Sequence, residues 1–323
     1  MARSPLTAAR QQMMSIRLSI VIVNWRSYGL TEACIRSIRR FPLSHGYEIT
    51  VVDNSQDHLR RAQLVAAVPA IRWICNQTNV GFTKACNQGI RCANGEYILL
   101  LNPDVLVQSG CLDAMVSVLD AEPRVGIVSC PLVGKSGRRQ RTAHDTYHSV
   151  RRLLLDTAGV SSLLNMAHSR GGHRPSPGSS TYSSVKWVKA ACLMFRKNLV
   201  DELGLLDETF FLYGSDPDYC ARAVTNGWMV TILRNSEMIH QGSATTSLES
   251  WTVASYYHAY LELLRRRYKN QRQTFQLARF LLALRASQHA FVLSLKIWLP
   301  KSHRAQARAH WRAAYVISTT DIA

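Results

Sequence analysis

The sequence holds no C-x-x-C pair, no uninterrupted apolar run of the ~20 residues a membrane span needs, no G-x-G-x-x-G and no G-x-x-x-x-G-K-S/T. Each absence removes a class of function. Without paired thiols there is no zinc ribbon and no dithiol redox centre. The eight cysteines (34, 75, 86, 92, 111, 130, 192 and 220) are scattered through apolar or helical contexts, as free thiols of a reducing compartment are. The most apolar stretch of the tail, residues 275–299, is broken by Arg279, Arg285 and Lys296, so no transmembrane helix is expected. Residues 1–17 carry arginines and no apolar core, which reads as a disordered extension rather than a secretory signal, with Met14 opening the first compact stretch. Without a dinucleotide fingerprint or a P-loop, a diphosphate ligand would need a cation. Acidic residues are scarce too, 21 against 39 Lys and Arg, for a net charge of +18. From residue 260 onward 12 basic residues face only Glu262 and Asp321, so a short tail holds +10 of that charge. Such a tail on a milder body points to a polyanionic surface, either phospholipid or nucleic acid.

What is present is the composition of a folded α/β protein. With 47% apolar residues over 323, the chain is long enough for one large domain or two smaller ones. Residues 18–23 are an apolar, β-branched run typical of a strand buried on both faces. A helix follows, with Thr31 as N-cap and Cys34, Ile35 and Ile38 on its inner face. Strands at 47–52, 71–75, 97–101 and 125–130 alternate with helices at 60–67, at 84–92 and after a Ser109 cap. Residues 134–149 are basic and polar, and 169–184 are rich in Gly, Pro and Ser. Both read as mobile loops, with a helix over 150–164 between them. A strand segment over 185–196, a helical turn over 198–203, a helix over 216–226 and a strand over 228–233 complete the body, with Phe210, Phe211 and Trp228 assigned to its core. The alternation predicts an α/β fold with a Rossmann-like, mostly parallel mixed sheet, whose ligands gather at the carboxyl ends of the strands.

Three polar or acidic groups stand at such ends: Asn24 after the first strand, Asp53 after the second, and Asn102 with Asp104 after 97–101. One alone would read as a cap or turn residue. Three at one sheet edge read as a site, and an Asp there is a hard-oxygen ligand suited to Mg²⁺ or Mn²⁺.

Taken in order, the blocks IVIVNW, VVDNSQD, NVGFTKACNQG and GEYILLLNPDV, continued by WVKAACLMFRK, LGLLDETFFLYGSDPDYCARAVTNGW and IHQGSATT, resemble glycosyltransferase family 2 and its GT-A fold. Together they are similar to the rhamnosyltransferase-type branch that builds bacterial cell-wall and O-antigen polysaccharides. The resemblance implies a catalytic domain over 18–247, with a nucleotide-sugar half over 18–130 and an acceptor half over 185–247, followed by a helical extension over 248–323. It implies an inverting, metal-dependent hexosyl transfer from a nucleotide-diphosphate sugar. The donor reads as dTDP-L-rhamnose, with other nucleotide hexoses open. The acceptor reads as a polyprenyl-diphosphate-linked saccharide.

The resemblance also assigns residues. Asn24 and Asp53 would line the base and ribose pocket, Asp53 accepting from a pyrimidine N3–H. Asn79 and Gly81 would let the backbone approach the nucleotide, and Lys84 would either offset phosphate charge or stand as a solvated helix residue. Asn102-Pro103-Asp104 occupies the D-x-D position, with Asp104 holding the metal against the diphosphate and neutral Asn102 replacing the first Asp. His240 would complete that metal site. Ser215-Asp216-Pro217-Asp218 stands where the family has Glu-Asp-x-Asp, which makes Asp216 the candidate base. A helix N-terminus favours the anion there. It would take the acceptor hydroxyl's proton as that hydroxyl attacks the anomeric carbon from the face opposite the diphosphate. Ser215-x-x-Asp218 is also a capping box, so Asp218 divides between acceptor binding and capping. Trp187 would pack either on the acceptor sugar or in the core, and Ala190 stands where the family carries Gly.

The tail, residues 251–315, mixes Leu261, Leu263, Leu264, Phe280, Leu281, Leu282, Leu284, Phe291, Val292, Leu293 and Trp298 with seven interleaved Arg and Lys residues (Arg265, Arg266, Arg267, Arg272, Arg279, Arg285 and Lys296). These spacings make basic amphipathic helices that lie in the headgroup plane of an anionic membrane. With a lipid-linked acceptor, they put the protein on the inner face of the cytoplasmic membrane. The competing reading packs them on the core or on a second subunit as an oligomer contact. Tyr256, Tyr257, Tyr260 and Tyr268 beside Arg265–Arg267 superficially suit base stacking, but they lie at helical spacing with no nucleic-acid motif, so no nucleic acid is expected. A catalytically dead scaffold is the remaining alternative. Ser215 and Asn102 would be its signature, and retention of Asp104, Asp216 and His240 argues against it.

Overall fold

The computed structural model describes residues 16–158, 181–242, 250–295 and 301–319. Expectations placed on 1–15, 159–164, 169–180, 243–247, Lys296 and Trp298 lie outside the described residues. The chain divides into two compact units. One is made of Met1–Asp145, Ser180–Phe211 and Ser215–Thr245, the other of Thr146–Ser179, Leu212–Gly214 and Thr246–Ala323.

The first unit is built on an eight-stranded mixed sheet. Strands β1 (Ile16–Asn24), β2 (Gly46–Asp53), β3 (Arg72–Cys75) and β4 (Tyr97–Leu101) run parallel in the order β3-β2-β1-β4. Helices α1 (Tyr28–Arg40), α2 (His58–Ala67) and α3 (Phe82–Arg91) connect them. Leu18, Ile20, Val21 and Ile22 of β1 are all buried, which explains an apolar run that does not alternate. Gly95 admits this packing before β4, since a Cβ there would lie 2.8 Å from Ser19 N and 2.9 Å from Arg17 O. Past β4 comes β11 (Cys192–Arg196), antiparallel to β4 and to β6 (Val125–Ser129). Then follow β12 (Met229–Leu233), parallel to β6, and the antiparallel edge strand β9 (Tyr182–Val185). Two small sheets close the carboxyl side. In one, β13 (Met238–His240) lies between β5 (Val105–Leu106) and β7 (Leu132–Val133); in the other, β8 (Ala143–His144) pairs with β10 (Trp187–Val188).

Several expectations are corrected. Helix α1 starts at Tyr28 with Ser27 as N-cap, because the Thr31 hydroxyl donates to Asn24 Oδ1 (3.0 Å) from inside the helix instead of capping it. Helix α4 (Cys111–Ala121) is preceded by Gly110 at φ 71°, a left-handed turn that displaces Ser109 from the cap. The expected mobile loop over 134–149 contains ordered backbone: Gln140 N donates to Leu132 O (2.8 Å), Val133 bridges Arg139, and residues 143–144 are β8. Residues 182–184, also read as loop, belong to β9, and the segment over 185–196 breaks into the end of β9, β10 and β11. Phe210 is core, but Phe211 is 42% exposed, and Trp228 is half-buried with its indole N–H on Glu202 Oε2 (2.8 Å).

The second unit is helical. Helices α5 (Val150–Thr157), α8 (Ser250–Arg267), α9 (Arg272–Leu295) and α10 (Lys301–Thr319) surround a core that includes Leu153, Tyr257, Tyr260, Leu264, Leu282, Ala286 and Ile317. Helices α6 (Asn198–Leu203) and α7 (Ser215–Thr225) belong to the first unit. Tyr257 and Tyr260, 1% and 4% exposed, belong to that core, whereas Tyr256 is 39% exposed. Leu264, Leu281 and Leu282 face that core, whereas Leu277, Phe280, Leu284, Phe291 and Val292 on α9 are exposed. Among the described residues no helix is long and apolar enough to cross a membrane.

Candidate active site

Parallel pairing sets Asn24 directly opposite Asp53 at the carboxyl ends of β1 and β2. Both side chains are fully buried. Asn24 Nδ2 donates to Asp53 Oδ1 (2.9 Å), which also accepts the Ser55 N–H (3.0 Å); Oδ2 accepts the Tyr28 hydroxyl (2.9 Å), with Arg61 Nη1 at 3.8 Å. Asn24 Oδ1 in turn takes the Ser27 N–H, the Ser27 hydroxyl and the Thr31 hydroxyl. Burial first, and the Asp53 carboxylate second, push the Tyr28 hydroxyl up to about 12. The pair is therefore a buried, hydrogen-bonded support against which Tyr28, Ser55 and Arg61 are held. An open cleft of about 420 Å³ lies here, lined by Arg26, Tyr28, Ser55, Gln56, Asp57 and Arg60. Two arginines at its wall make it receptive to a phosphorylated ligand.

Asn79 and Gly81 shape the next turn. Asn79 Oδ1 accepts the Gly81 N–H (3.0 Å) and Asn54 Nδ2 (3.2 Å). Gly81 has φ 88°, and a Cβ there would sit 2.6 Å from Phe211 O. Its glycine character answers to Phe211 and to a backbone region that other residues rarely adopt. Lys84 is exposed on the first turn of α3.

At the end of β4, Asn102 N donates to Ala191 O (3.0 Å) and Asn102 O receives Val105 N (3.2 Å), closing the Asn-Pro-Asp turn. Asp104 is 2% exposed, and its Oδ1 accepts no hydrogen bond from any described residue. His240 pairs with Val105 across β13 and β5, which brings its Nε2 to 3.2 Å from Asp104 Oδ1. A buried carboxylate oxygen without a proton donor, facing an imidazole nitrogen, fits a divalent cation. Two neighbouring ligands of an octahedral ion at ~2.1 Å stand about 3 Å apart. Among the described residues no cluster of three or more His, Cys, Asp or Glu is present, so the protein would supply this pair and the substrate the remaining oxygens.

Asp216 lies on the first turn of α7, and its Oδ2 accepts the Ala190 N–H (3.2 Å). One residue further on, the Ala191 carbonyl accepts the Asn102 N–H, so the Ala190-Ala191 pair touches both the Asp104 turn and Asp216. Burial lowers the Lys189 ammonium, and the Asp216 charge opposes that shift. Asp218 behaves differently: 7% exposed, it ion-pairs with Arg222 Nε (2.9 Å), whose guanidinium also binds the carbonyls of Leu203 and Leu205. Trp187 is 8% exposed and stacks on His144 with ring centroids 3.8 Å apart and planes at 1°. Ala190 is buried beside it.

The glycosyl transferase family 2 model matches residues 19–199, the span that runs from β1 through β11 and includes the Asp104 turn, with Asp216 and His240 beyond it. The chain belongs to glycosyl transferase family 2. Among curated relatives in this family, the N-acetylglucosaminyl-diphospho-decaprenol L-rhamnosyltransferase of Mycobacterium tuberculosis is 21% identical over 226 residues, 65% of this chain and 71% of that protein. The dTDP-rhamnosyl transferase RfbF of Shigella flexneri is 24% identical over 195 residues, 59% of each. The chain is thus rhamnosyltransferase-like within family 2. Its fold is also that of a mannosyltransferase from Pyrobaculum calidifontis solved with GDP-Man and Mn²⁺, at TM-score 0.55 and 15% identity over 97% of this chain and 92% of that one. Family 2 blocks led to Asn24, Asp53, Asp104, Asp216 and His240. They did not lead to Tyr28, Lys189, His144 or Gln140, which lie between the blocks or within apolar surroundings where no local pattern marks them.

Proposed function

We propose that this glycosyltransferase transfers a hexose with inversion from a nucleotide-diphosphate sugar, dTDP-L-rhamnose, to a hydroxyl of a polyprenyl-diphosphate-linked saccharide. The observation that carries the reading is the Asp104–His240 pair, its carboxylate buried, tied through Ala190 and Ala191 to Asp216. Asp104 and His240 would hold Mg²⁺ or Mn²⁺, which when bound supplies positive charge against the departing diphosphate. Asn24 and Asp53 organise the floor beneath the nucleoside, and Arg26 and Arg60 offer charge at the cleft wall. Asn79 and Gly81 fix the turn beside the nucleotide, and Lys84 offers charge to the phosphates. Asp216 takes the proton of the acceptor hydroxyl as its oxygen attacks the anomeric carbon. The Ala190 N–H and the start of α7 orient that carboxylate. Trp187, backed by His144, walls the acceptor side, while Asp218 holds α7 to the 203–205 turn through Arg222.

The names of the relatives support a rhamnosyl donor and a lipid-diphosphate acceptor for this chain. The exposed apolar stripe on α9 and the +10 tail support attachment to an anionic membrane surface at the cytoplasmic face, where such an acceptor is concentrated. The test is a panel of nucleotide sugars screened for thermal stabilisation with and without Mn²⁺, followed by transfer to a short-chain polyprenyl-diphosphate saccharide. dTDP-L-rhamnose is expected to stabilise most and to be consumed. Stabilisation by a different donor alone refutes the rhamnose assignment. Transfer with retained anomeric configuration refutes the inverting mechanism.

A further inference from the structure

Gln140 lies in the polar stretch between β7 and β8, outside every motif block, and it grips His240 twice. Its Nε2 donates to the His240 carbonyl (2.9 Å), and its Oε1 lies 2.6 Å from His240 Nδ1. The first contact fixes the second. A backbone carbonyl only accepts, so the amide cannot be turned round, and Oε1 must face the ring. An amide oxygen only accepts as well, so Nδ1 must carry the proton. In the neutral ring the lone pair then sits on Nε2, which is the atom 3.2 Å from Asp104 Oδ1. Two lone pairs confronting each other beside a buried carboxylate repel unless a proton or a metal ion lies between them.

The position of Gln140 is itself built in. Its N–H donates to Leu132 O (2.8 Å), and the tight turn behind it is closed by Gly134 N on Arg138 O and Gly137 N on Gly134 O, both 2.9 Å. Val133 bridges Arg139 alongside. The same strand, β7, pairs with β13 through Met238 and Ile239, so the hairpin that carries Gln140 and the strand that carries His240 are one sheet.

From this geometry we infer that Gln140 is a positioning residue that locks His240 in the Nδ1–H tautomer and so presents Nε2, unprotonated, as a metal ligand beside Asp104. The inference rests on the metal-site reading above and adds the device that makes the imidazole competent. Ligand histidines need their second nitrogen held in this way, and loss of the holding group costs about 10–100-fold in metal affinity. The polar stretch over 134–149 thereby becomes the arm that aims the histidine.

The decisive measurement needs no turnover. Two-bond ¹H–¹⁵N correlation spectra of the metal-free full chain, with ¹⁵N-labelled histidine and His240 assigned by its absence in His240→Asn, report which ring nitrogen carries the proton in the neutral ring. The expected pattern is Nδ1–H in the wild type, an Nε2–H or mixed pattern in Gln140→Leu, and Nδ1–H retained in Gln140→Glu, whose carboxylate still accepts. Mn²⁺ titration followed by water-proton relaxation should then give about 10–100-fold weaker binding for Gln140→Leu and near wild-type binding for Gln140→Glu. Thermal melting of each variant separates this effect from loss of fold, and Gln140→Glu carries the test if Gln140→Leu unfolds: Nε2–H in that variant overturns the inference. An Nε2–H wild-type ring, or equal Mn²⁺ affinity for folded Gln140→Leu, overturns the role of Gln140. A wild-type chain that binds no Mn²⁺ overturns the metal site itself, whatever the tautomer.

Discussion

Replacing Asp216 by Asn separates the hydrogen bond this carboxylate makes from the proton-accepting role proposed for it. The amide keeps the volume and one oxygen that can still accept the Ala190 N–H, now at 3.2 Å. What stability loses is the difference between a charge-assisted and a neutral hydrogen bond, about 1 kcal/mol. In a unit of this size that is a fall of roughly 2–4 °C in Tm. What catalysis loses is the proton acceptor, worth about 10²–10⁴-fold in kcat, or roughly 3–5 kcal/mol of barrier. Donor affinity should hardly change, because nothing that contacts the nucleotide cleft is altered. Asp218→Asn is the matched comparison and should invert the pattern. Its carboxylate is 8% exposed and paired with Arg222, which also anchors the Leu203 and Leu205 carbonyls. Breaking that pair should cost about 1–3 kcal/mol of stability, with turnover per folded molecule preserved. The assay is donor binding by calorimetry, single-turnover transfer and thermal melting on the three proteins together. Near-normal turnover in Asp216→Asn would leave it a helix-start residue and refute the base assignment. Equal catalytic loss in Asp218→Asn, with Tm unchanged, would show that the wrong aspartate was chosen.

Other consequences can be checked alongside. Excess chelator should abolish transfer, Mg²⁺ or Mn²⁺ should restore it, and Asp104→Ala should weaken donor binding and rate together; full activity in chelator refutes the Asp104–His240 assignment. Burial holds His148 and His310 of the helical unit at about 4, below an ordinary histidine. Both are therefore neutral when folded and readily protonated when unfolded, so their contribution is present above about pH 6.5 and lost as pH falls from there towards 4. Urea midpoints should drop across that window in the wild type and drop less in His148→Phe with His310→Phe; parallel profiles refute the linkage. Co-sedimentation with anionic vesicles should occur at low salt and reverse at high salt. Phe280→Glu and Phe291→Glu, at positions 63% and 55% exposed, should each weaken it about tenfold; binding indifferent to both changes would place another surface on the bilayer.

The central strands were legible because burial on both faces writes itself as an uninterrupted apolar run: residues 97–101 and the helical turn 198–203 have the bounds the sequence indicates. Strand direction was not legible. Cys192–Arg196 is as apolar as its parallel neighbours, and only its insertion between β4 and β6 makes it antiparallel. Helix starts failed where a hydroxyl had a better use elsewhere, as Thr31 has on Asn24. Phe211 misled for the opposite reason, since hydrophobicity predicts burial while its ring rests on Gly81 partly exposed and its carbonyl takes the Phe82 N–H. Of the site, the groups that follow strands could be read in order. Their supports could not: Gln140 reaches His240 across 100 residues from a segment whose composition says only that it is polar.

The Ala190-Ala191 dipeptide has a mechanical meaning. Within two consecutive residues, at the turn between β10 and β11, the Ala190 N–H is given to Asp216, the proposed base, and the Ala191 carbonyl to Asn102, in the turn that bears the proposed metal ligand Asp104. The two ends of the proposed site are thereby calipered to each other by one short turn of chain. On the proposed mechanism, acceptors of different length adapt outside that gauge, by how they lie along the surface. A side chain larger than methyl at position 190 would act on that gauge directly, and so would shift which hydroxyl of a sugar reaches Asp216 before it altered whether any does.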